Sequence, residues 1–293
     1  MEHKSGFVNI IGNPNVGKST LMNALIGAKL SIITPKAQTT RHRILGIVNG
    51  DNFQIVFSDT PGIIKPSYEL QSSMMNFVKT AFDDADILIY MVEIGEKELK
   101  DESFFKKIQN SKVPVLLLIN KIDTSNQEVL AEQVAYWNEL IPNADILPIS
   151  ALEKFNVDVV LQRIISLLPV FPPYYPKDKI TDKPERFFVN ECIREKILKH
   201  YKKEIPYAVE VVTESFKEEE DIIRIQSVIM VERETQKGII IGHKGGAVKR
   251  VGQEARKDLE IFFRKKIYLE IFVKVNKNWR SDDSQLKRFG YNL

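Results

Sequence analysis

Short apolar segments alternate with amphipathic ones through the first part of the chain. The apolar segments are rich in Ile and Val and have the length of buried strands. They are Phe7–Ile11, Ile44–Val48, Gln54–Phe57, Ile87–Val92, Val115–Ile119 and Ile146–Ile149. Segments with helical periodicity separate most of them, namely Lys18–Gly27, Gln71–Phe82, Glu98–Gln109, Gln127–Leu140 and Val157–Leu168. Strands and helices that alternate at this spacing predict an α/β fold with a mostly parallel sheet and helices on both faces.

The pattern changes after Leu168, where residues 169–178 are rich in proline. Proline continues neither a helix nor a central strand, so we expect an extended, semi-rigid linker here. The sequence therefore predicts a first domain at residues 1–169, a linker at residues 170–184 and a second domain at residues 185–293 that includes a C-terminal tail. A length of 293 residues agrees with two domains.

The second domain has a different order of elements. Its pattern predicts a helix, two strands, two helices and a third strand, which makes an α+β domain. These elements are Glu185–Tyr201, Ala208–Phe216, Ile222–Val231, Lys237–Ile241, Ala247 to about Lys265, and Ile267–Val275. The two adjacent helices are joined by Gly242-His243-Lys244-Gly245.

Composition argues against disorder and membrane insertion. Hydrophobic residues make up 43% of the chain and charged residues 28%, both close to the globular average. No apolar run is long enough to span a bilayer, and residues 1–6 lack the architecture of a signal peptide. Cys192 is the one cysteine and cannot form an intramolecular disulfide, which fits a reducing compartment. We therefore expect a cytoplasmic protein.

Charge is divided unevenly along the chain. The formal net charge is +3, but residues 1–184 carry 19 Lys and Arg against 21 Asp and Glu, whereas residues 185–293 carry 23 against 18. The basic excess therefore lies in the second domain, where we expect an anionic partner to bind.

A phosphate-binding pattern follows the first strand. Residues 12–19 have the spacing Gly-x-x-x-x-Gly-Lys-Ser between a strand and a helix. The two glycines let backbone N–H groups converge on an anion, Lys18 would reach the β- and γ-phosphates, and the Ser19 hydroxyl would bind Mg²⁺. The candidate nucleotide-binding residues here are Gly12, Asn13, Pro14, Asn15, Val16, Gly17, Lys18, Ser19 and Thr20. The alternative is a plain turn before an ordinary helix.

Two further loops would complete a site for Mg²⁺ and the γ-phosphate. After the third strand, the Asp59 carboxylate can hold Mg²⁺ through water while the Gly62 N–H approaches the γ-phosphate. In the polar segment Thr34–Arg43, we prefer Thr40 over Thr39 as the second protein ligand of Mg²⁺. The candidate metal ligands are Ser19, Thr40 and Asp59, and the candidate catalytic residues are Lys18, Thr40 and Gly62.

Two later loops predict which base is bound. Asp123, near the end of the fifth strand, can accept hydrogen bonds from N1–H and the exocyclic amine of guanine, a donor pair that adenine lacks. After the next strand, Ser150 and Ala151 can present backbone N–H groups to the guanine O6, or Ser150 can simply cap a helix. The candidate guanine-site residues are Asn120, Lys121, Asp123, Ser150 and Ala151.

These motifs, in this order, resemble those of the translation-factor-related GTPases. Within that class, Pro14-Asn15, the segment Gln38–Arg43 and the C-terminal extension are similar to the Era family of bacterial ribosome-assembly GTPases. The resemblance implies a P-loop GTPase domain that uses Mg²⁺ and converts GTP to GDP and phosphate. Ras-type enzymes place a water-orienting Gln where Ile63 stands, so we expect slow intrinsic hydrolysis, and we count Ile63 with the nucleotide-contacting residues.

The resemblance leaves the role of Asn15 open. An asparagine at this position helps to hold K⁺ in related GTPases, but Asn15 can equally well stabilise the loop by hydrogen bonding. Family membership also implies loose, peripheral association with the membrane, although no lipid-binding helix is evident. We expect a monomer.

The second domain resembles a type II KH domain, an RNA-binding module. Its two loop glycines would let the backbone lie against nucleotide phosphates. Residues 237–266 contain nine Lys and Arg against three acidic residues, which predicts salt-sensitive binding of RNA. The candidate RNA-binding residues are Gly242, His243, Lys244, Gly245, Lys249 and Arg250. The alternative is a flexible joint between helices with a solvated, charged face.

Aromatic residues of this domain carry two further expectations. Phe262 and Phe263 lie at helical spacing from Leu259, so we expect them in the core rather than on a surface that stacks bases. Trp279-Arg280 and the tail Gln285–Leu293 follow the last strand, and they either pack on the domain or add an RNA contact.

The leading hypothesis is a GTP-hydrolysing switch whose second domain binds single-stranded RNA. By resemblance, the RNA would be the 3′ region of small-subunit ribosomal RNA, and the process would be maturation of the small ribosomal subunit. One alternative is an RNA-binding assembly factor that holds nucleotide only as a structural ligand. Another is a GTPase whose partner is a protein or a membrane.

Overall fold

The computed structural model describes residues 2–291, which divide into two compact units. Of these residues, the first unit contains those up to Ser67 together with Gln71–Asp182, and the second contains Tyr68–Leu70 and Lys183–Tyr291. The expected first domain began at Met1 and the expected tail ended at Asn292-Leu293, and these three positions lie outside the described residues.

A six-stranded sheet forms the centre of the first unit, in the order β2-β3-β1-β4-β5-β6. Its strands are β1 (Lys4–Ile11), β2 (Ile44–Asn49), β3 (Phe53–Asp59), β4 (Ile87–Glu93), β5 (Val115–Asn120) and β6 (Asp145–Pro148). Its helices are α1 (Lys18–Ile26), α2 (Glu69–Asp83), α3 (Glu102–Gln109), α4 (Gln127–Leu140) and α5 (Val157–Leu167). All neighbouring strands are parallel except β2 and β3. The predicted mostly parallel α/β sheet is confirmed.

Burial accounts for the apolar strands of this sheet. Every residue of β5 is buried, and so is every residue of β4 except the last. A strand covered on both faces has no polar face, so its sequence is a continuous apolar run. The carboxyl ends of parallel strands lie at one edge of the sheet, where such folds bind ligands. Strands β1, β3 and β5 therefore place the phosphate loop, the loop with Asp59 and Gly62, and the loop with Asn120 and Asp123 at the same edge of the sheet.

Two helices begin three or four residues away from the predicted position. Helix α3 begins at Glu102 rather than Glu98, because Oδ1 of Asp101 accepts the N–H groups of Ser103 and Phe104 at 2.9 and 3.4 Å and caps the helix there. In the second unit, α7 begins at Glu234 rather than Lys237.

Residues 170–182, which we call the strap, lie within the expected linker and are hydrogen-bonded to the sheet of the first unit. The Ser5 hydroxyl donates to the carbonyl oxygens of Phe171 and Pro172 at 3.0 and 2.6 Å. Farther on, Ile180 O accepts the N–H of Ile47 at 2.9 Å, and the Thr181 hydroxyl donates to Leu45 O at 2.7 Å. Proline prevents regular structure, but the strap still uses its carbonyl and hydroxyl groups to bind β1 and the edge strand β2.

A three-stranded sheet, in the order β7-β8-β9, forms the second unit together with four helices, the last of them short. The elements are α6 (Glu185–His200), β7 (Glu210–Glu218), β8 (Ile222–Val231), α7 (Glu234–Ile241), α8 (Gly246–Phe263), β9 (Lys266–Val275) and a short α9 (Asp283–Arg288). Strands β7 and β8 are antiparallel, and β8 and β9 are parallel. Ile193 of α6, Ile229 of β8 and Val251 of α8 pack in one hydrophobic core. The predicted α+β order is confirmed.

The aromatic residues of this unit only partly follow expectation. Phe263 packs against the core, but Phe262 is 42% exposed, which contradicts its expected burial. Phe262 lies near the C-terminal end of α8 and contacts the ring of Phe188. Trp279 and Tyr291 are fully buried, and Trp279 Nε1 donates to Ala208 O at 3.2 Å. The described part of the tail therefore packs on the domain. Across residues 2–291, no helix combines the length and apolar character required to cross a membrane.

Candidate functional site

The loop between β1 and α1 needs its two glycines for steric reasons. Gly12 and Gly17 have φ angles of 152° and 104°. A Cβ atom on Gly12 would lie 2.2 Å from Met91 O, and one on Gly17 would lie 2.3 Å from Asn120 Nδ2. Neither position can hold a side chain in this conformation, so the sequence spacing reflects a tightly wound backbone.

Lys18 is buried beneath this loop. Its Nζ donates to the carbonyl oxygens of Gly12 and Asn13 at 3.1 and 2.8 Å. Burial lowers the pKa of Lys18 to about 8, although the nearby carboxylates of Asp59 and Glu96 oppose this shift. The amine is thus held by two carbonyls in a position from which it can turn toward phosphate.

The three predicted metal ligands come together beside Lys18. Ser19 Oγ donates to Asp59 Oδ2 at 2.7 Å, and the Ser19 and Thr40 hydroxyls lie 2.9 Å apart. Thr40 Oγ1 is 3.4 Å from the same carboxylate oxygen. Burial raises the pKa of the Asp59 carboxyl, and the Ser19 hydroxyl and Lys18 act against that rise. One carboxylate and two hydroxyls are the oxygen donors that Mg²⁺ takes when nucleotide phosphates supply further ligands, so the residues fit this ion.

The structure favours Thr40 over Thr39 at this position. The Thr39 hydroxyl donates to Lys36 O at 2.7 Å and lies 2.7 Å from the Thr34 hydroxyl. It therefore closes a turn within its own loop, whereas Thr40 faces Ser19 and Asp59.

Gly62 packs directly against the phosphate loop, because a Cβ atom there would lie 2.6 Å from Pro14 Cα. The side chain of Ile63 is fully buried, and its N–H donates to Gly12 O at 3.1 Å. Ile63 thus helps to hold the two loops together, and its contact with nucleotide stays a prediction.

Asn120 joins two loops at the base-binding end of the site. Its Nδ2 donates to Val16 O at 2.7 Å, and its Oδ1 accepts the Ala151 N–H at 2.9 Å. The Ser150 N–H donates to Phe155 O at 3.2 Å. Both N–H groups expected to meet guanine O6 therefore have hydrogen-bond partners within the protein, and the contact with guanine stays a prediction. Asn120 acts by connecting the phosphate loop to the Ser150-Ala151 loop.

Asp123 is available to a base. It lies on a single 3₁₀ turn after β5 (Ile122–Thr124) and is exposed at the rim of the cleft. Lys121, which precedes this turn with a left-handed φ of 63°, forms an ion pair with Glu93. The turn therefore exposes the Asp123 carboxylate to the cleft, and the ion pair with Glu93 fixes the Lys121 side chain.

These loops surround a cleft of about 550 Å³. The predicted residues that line it are Pro14, Asn15, Gly17, Lys18, Ser19, Thr20, Thr40, Gly62, Asn120, Lys121, Asp123 and Ser150. The predicted residues Gly12, Asn13, Val16, Asp59, Ile63 and Ala151 lie behind this lining. Further lining residues were not predicted, namely Ile32, Ile33, Thr34, Pro35, Gln38, Thr60, Glu93, Thr124 and Leu152, and Thr39 also lines the cleft. The position of Thr60, Thr124 and Leu152 inside or next to known motifs was a usable signal.

Asn13 turns away from the cleft. Its Nδ2 donates to Glu98 O at 3.0 Å and to the Glu96 carboxylate, and its Oδ1 accepts the Lys100 N–H at 3.1 Å. Burial raises the pKa of the Glu96 carboxyl. Asn13 therefore ties the phosphate loop to the loop after β4, a contact that no motif reveals.

A second candidate site lies at the turn between α7 and α8. Gly242, Lys244 and Gly245 all have positive φ angles, of 71°, 49° and 76°. Lys244, Lys249 and Arg250 are exposed beside this turn, as is His243. The predicted glycine loop thus forms a tight, basic turn at the start of α8.

A groove of about 270 Å³ lies between α8 and β9, which is an edge strand of its sheet. Its lining residues are Val248, Lys249, Gly252, Gln253, Arg256, Leu269 and Ile271. Of these only Lys249 was predicted. Gln253 and Arg256 follow Lys249 at helical spacing of four and seven residues, which was a usable signal. The groove combines an apolar floor with two cations, a chemistry suited to bases and phosphates.

Comparison with known proteins gives a consistent result for both units. Residues 7–121 match the family described as 50S ribosome-binding GTPase, and residues 204–280 match the KH domain family. The chain is 45% identical over 292 residues to GTPase Era of Staphylococcus epidermidis, an alignment that covers 99% of this chain and 98% of the relative.

Solved structures agree with this relationship. A crystal structure of Era in complex with MgGDPNP and nucleotides 1506–1542 of 16S ribosomal RNA matches with a TM-score of 0.94 and 39% identity, over 99% of this chain and all of that one. A variant of Era from Aquifex aeolicus, bound to GDP and AlF4⁻, matches equally well, with the same TM-score, identity and coverage.

Proposed function

The chain belongs to the Era family of GTPases, and from this premise we propose that it is a GTP-hydrolysing switch that binds the 3′ region of small-subunit ribosomal RNA and assists assembly and maturation of the small ribosomal subunit. The observation that supports the nucleotide half of this proposal best is the meeting of Lys18, Ser19, Thr40 and Asp59 within hydrogen-bonding or Coulombic reach in one cleft.

The residues of the cleft suit phosphoryl transfer to water. Lys18 would turn from its two carbonyls to the β- and γ-phosphates, and the Gly62 backbone would approach the γ-phosphate. Ser19, Thr40 and Asp59 would hold Mg²⁺, which when bound supplies charge neutralisation for the phosphates. The buried, apolar Ile63 cannot orient a water molecule, so unstimulated hydrolysis should be slow.

Asp123→Asn tests the nucleotide half. The substitution removes one hydrogen-bond acceptor for the guanine donors and should weaken GTP binding by about tenfold or more. Affinities for GTP and ATP are measured by equilibrium titration, with Asp145→Asn, a substitution on β6, as the matched control. An unchanged ratio of GTP to ATP affinity would refute the guanine assignment.

The RNA half of the proposal is supported by the basic glycine turn and the adjoining groove. Lys244→Asp combined with Lys249→Asp should reduce affinity for a single-stranded RNA by at least tenfold and flatten its salt dependence, because two phosphate contacts are lost. The probe is an RNA copied from the 3′ end of 16S ribosomal RNA, and Lys217→Asp on β7 serves as the control. Unchanged affinity would favour a protein or membrane partner instead.

The buried Ile63 favours one second candidate, an RNA-binding assembly factor in which nucleotide is only a structural ligand. Turnover of GTP with and without small ribosomal subunits distinguishes the two. Stimulated turnover supports the switch, and turnover that no RNA or ribosomal particle stimulates supports the structural-ligand alternative.

We also propose that Asn15 contributes an oxygen ligand to K⁺ at the cleft. Its side chain lines the rim, and its Nδ2 donates to Pro35 O at 3.1 Å, which equally suits a loop-stabilising role. Faster hydrolysis in KCl than in NaCl, lost in Asn15→Ala, would support the ion site. Hydrolysis that is insensitive to the salt cation would leave only the structural role.

The family relationship is the basis for three further proposals, namely a cytoplasmic location, loose peripheral membrane contact and a monomeric state. Sedimentation with anionic vesicles tests the membrane contact, and analytical ultracentrifugation tests the monomer. Absence of the protein from the vesicle pellet would reject the membrane contact, and a concentration-dependent dimer would reject the monomeric state.

A further inference from the structure

Arg43 stands between the loop that carries Thr40 and the strand β2. Its guanidinium is bound by four oxygen atoms. Nε donates to Ser58 Oγ at 2.6 Å, and Nη1 donates to Asp84 Oδ2 at 2.6 Å. Nη2 donates to Asp84 Oδ1 at 2.9 Å and to Asn9 Oδ1 at 3.2 Å. The Arg43 side chain is only 12% exposed, so its position is well defined.

Two of these partners are polar side chains buried inside an apolar sheet. Asn9 of β1 and Ser58 of β3 lie opposite each other in neighbouring strands, and both are fully buried. The Asn9 amide also donates to Ala81 O at 2.5 Å and to Asp84 Oδ1 at 2.8 Å. Buried polar groups cost free energy unless they are satisfied. Arg43 satisfies both, so β1 and β3 together form a receptor for one guanidinium.

The same receptor includes the end of the helix that follows the Gly62 loop. Helix α2 ends at Asp83, and Asp84 comes directly after it. The ring of His42 also packs on Phe77 of α2, with 5.9 Å between ring centroids. Two consecutive residues therefore attach the end of the Thr40 loop to α2 and to the sheet.

We propose that Arg43 is a positioning residue that fixes the end of the Thr34–Arg43 loop and thereby holds Thr40 in the Mg²⁺ site. The proposal rests on the proposed GTPase function and extends it. Only two residues lie between Thr40 and Arg43, so an anchored guanidinium limits how far Thr40 can move from Ser19 and Asp59. Arg43 ends the segment Gln38–Arg43, but the sequence pattern of that segment shows none of these contacts.

The anchor should matter for GTP and much less for GDP. Loops of this kind are ordered by contacts with the γ-phosphate and its metal ion, which GDP lacks. A loosened Thr40 therefore weakens binding of the triphosphate selectively. A merely structural role for Arg43 would weaken both nucleotides in parallel.

The test uses Arg43→Lys in the full-length protein, which keeps the charge but cannot bind four oxygens. We expect about a tenfold loss of affinity for the non-hydrolysable analogue GDPNP in Mg²⁺, less than a twofold loss for GDP, and a higher Mg²⁺ concentration for half-maximal GDPNP binding. The control is Arg163→Lys, which alters another Arg–Asp pair, at 2.6 Å from Asp145 and remote from the cleft. It should change neither affinity.

A second variant tests the same anchor without changing Arg43, in case Arg43→Lys misfolds. Asp84→Asn weakens the anchor from outside the loop and should shift the GDPNP-to-GDP ratio in the same direction. An unchanged ratio in both variants, or an equal loss of both nucleotides with a lowered melting temperature, would overturn the proposal. Failure of the unmodified protein to bind either nucleotide would instead refute the proposed GTPase function.

Discussion

At the scale of single residues, Lys18 shows how burial prepares a charge for its ligand. The amine is buried with two carbonyl oxygens as hydrogen-bond partners, and its pKa falls to about 8. A bound triphosphate stabilises the protonated amine and raises that pKa. Below about pH 8 the amine is already protonated and binding takes up no proton. Above that pH, binding requires proton uptake, so affinity should fall by about tenfold per pH unit.

This pH dependence can be measured directly. Titrations with GDPNP between about pH 7 and 9, in buffers of different ionisation enthalpy, give both the affinity and the number of protons taken up. The matched ligand is GMP, which lacks the phosphates that Lys18 would contact, and its affinity should show no step from this amine. Equal proton uptake by both ligands would contradict the assignment.

The residues that belong to sequence motifs could be predicted. The contacts by which Arg43 and Asn13 fix the loops of these motifs in place could not. Lys18, Ser19 and Asp123 belong to patterns with fixed spacing, and all three line the cleft. Arg43 and Asn13 make their contacts with partners 41 and 83 residues away. Such contacts depend on how strands pair, which periodicity alone does not specify.

At the scale of elements, the strap depends on one buried side chain. Gln54 of β3 is fully buried, and its Oε1 accepts the N–H groups of Tyr174 and Tyr175 at 2.8 and 2.9 Å. Its Nε2 donates to Tyr175 O at 2.8 Å. Gln54→Ala would remove these three hydrogen bonds to the strap, and one to Asn49 Oδ1, and leave polar backbone groups of the strap without partners. We expect the free energy of unfolding of the first unit to fall by about 1–3 kcal/mol.

Chemical denaturation measures this loss, and limited proteolysis should show faster cleavage within residues 170–182. Gln109→Ala is the control, because Gln109 makes one exposed hydrogen bond, with Leu140 O. If the two variants are equally stable and equally resistant to protease, the strap is not held by Gln54.

Periodicity predicted the order of strands and helices because inner strands such as β4 and β5 are continuous buried apolar runs and the segments between them have helical spacing. The strap was predicted from its composition alone. Composition indicates that a segment lacks regular structure, but it does not indicate whether the segment packs against the rest of the domain. Phe262 illustrates the same limit in the second unit. Its helical spacing from Leu259 was correct, but Phe263, four residues after Leu259, takes the position against the core, and Phe262 lies beside it in contact with the ring of Phe188.

At the scale of the whole molecule, sequence composition separated a nucleotide-binding part from a basic part, and the structure gives each its own core. The proline-rich linker was the predicted link between their activities, but the contacts that it makes with the sheet could not be read from the sequence. The strap is the covalent connection, and its last residues pair with β2 directly after Arg43. Leu45 N–H donates to Asp182 Oδ1 at 3.1 Å, and the Thr181 hydroxyl donates to Leu45 O at 2.7 Å.

This connection predicts that the strap carries the coupling between nucleotide and RNA. If GDPNP in place of GDP changes RNA affinity by some factor, RNA must change the GDPNP-to-GDP affinity ratio by the same factor. Thr181→Val with Asp182→Asn weakens two hydrogen bonds between the strap and β2, and should reduce that factor by about fivefold while leaving RNA affinity of the GDP form unchanged. Lys177→Ala, which removes contacts to Gly50 O and Asp51 O beyond the other end of β2, should preserve the coupling. RNA affinities measured by filter binding in both nucleotide states decide the matter. A coupling factor equal in all three proteins would mean that the strap only fastens the edge of the sheet.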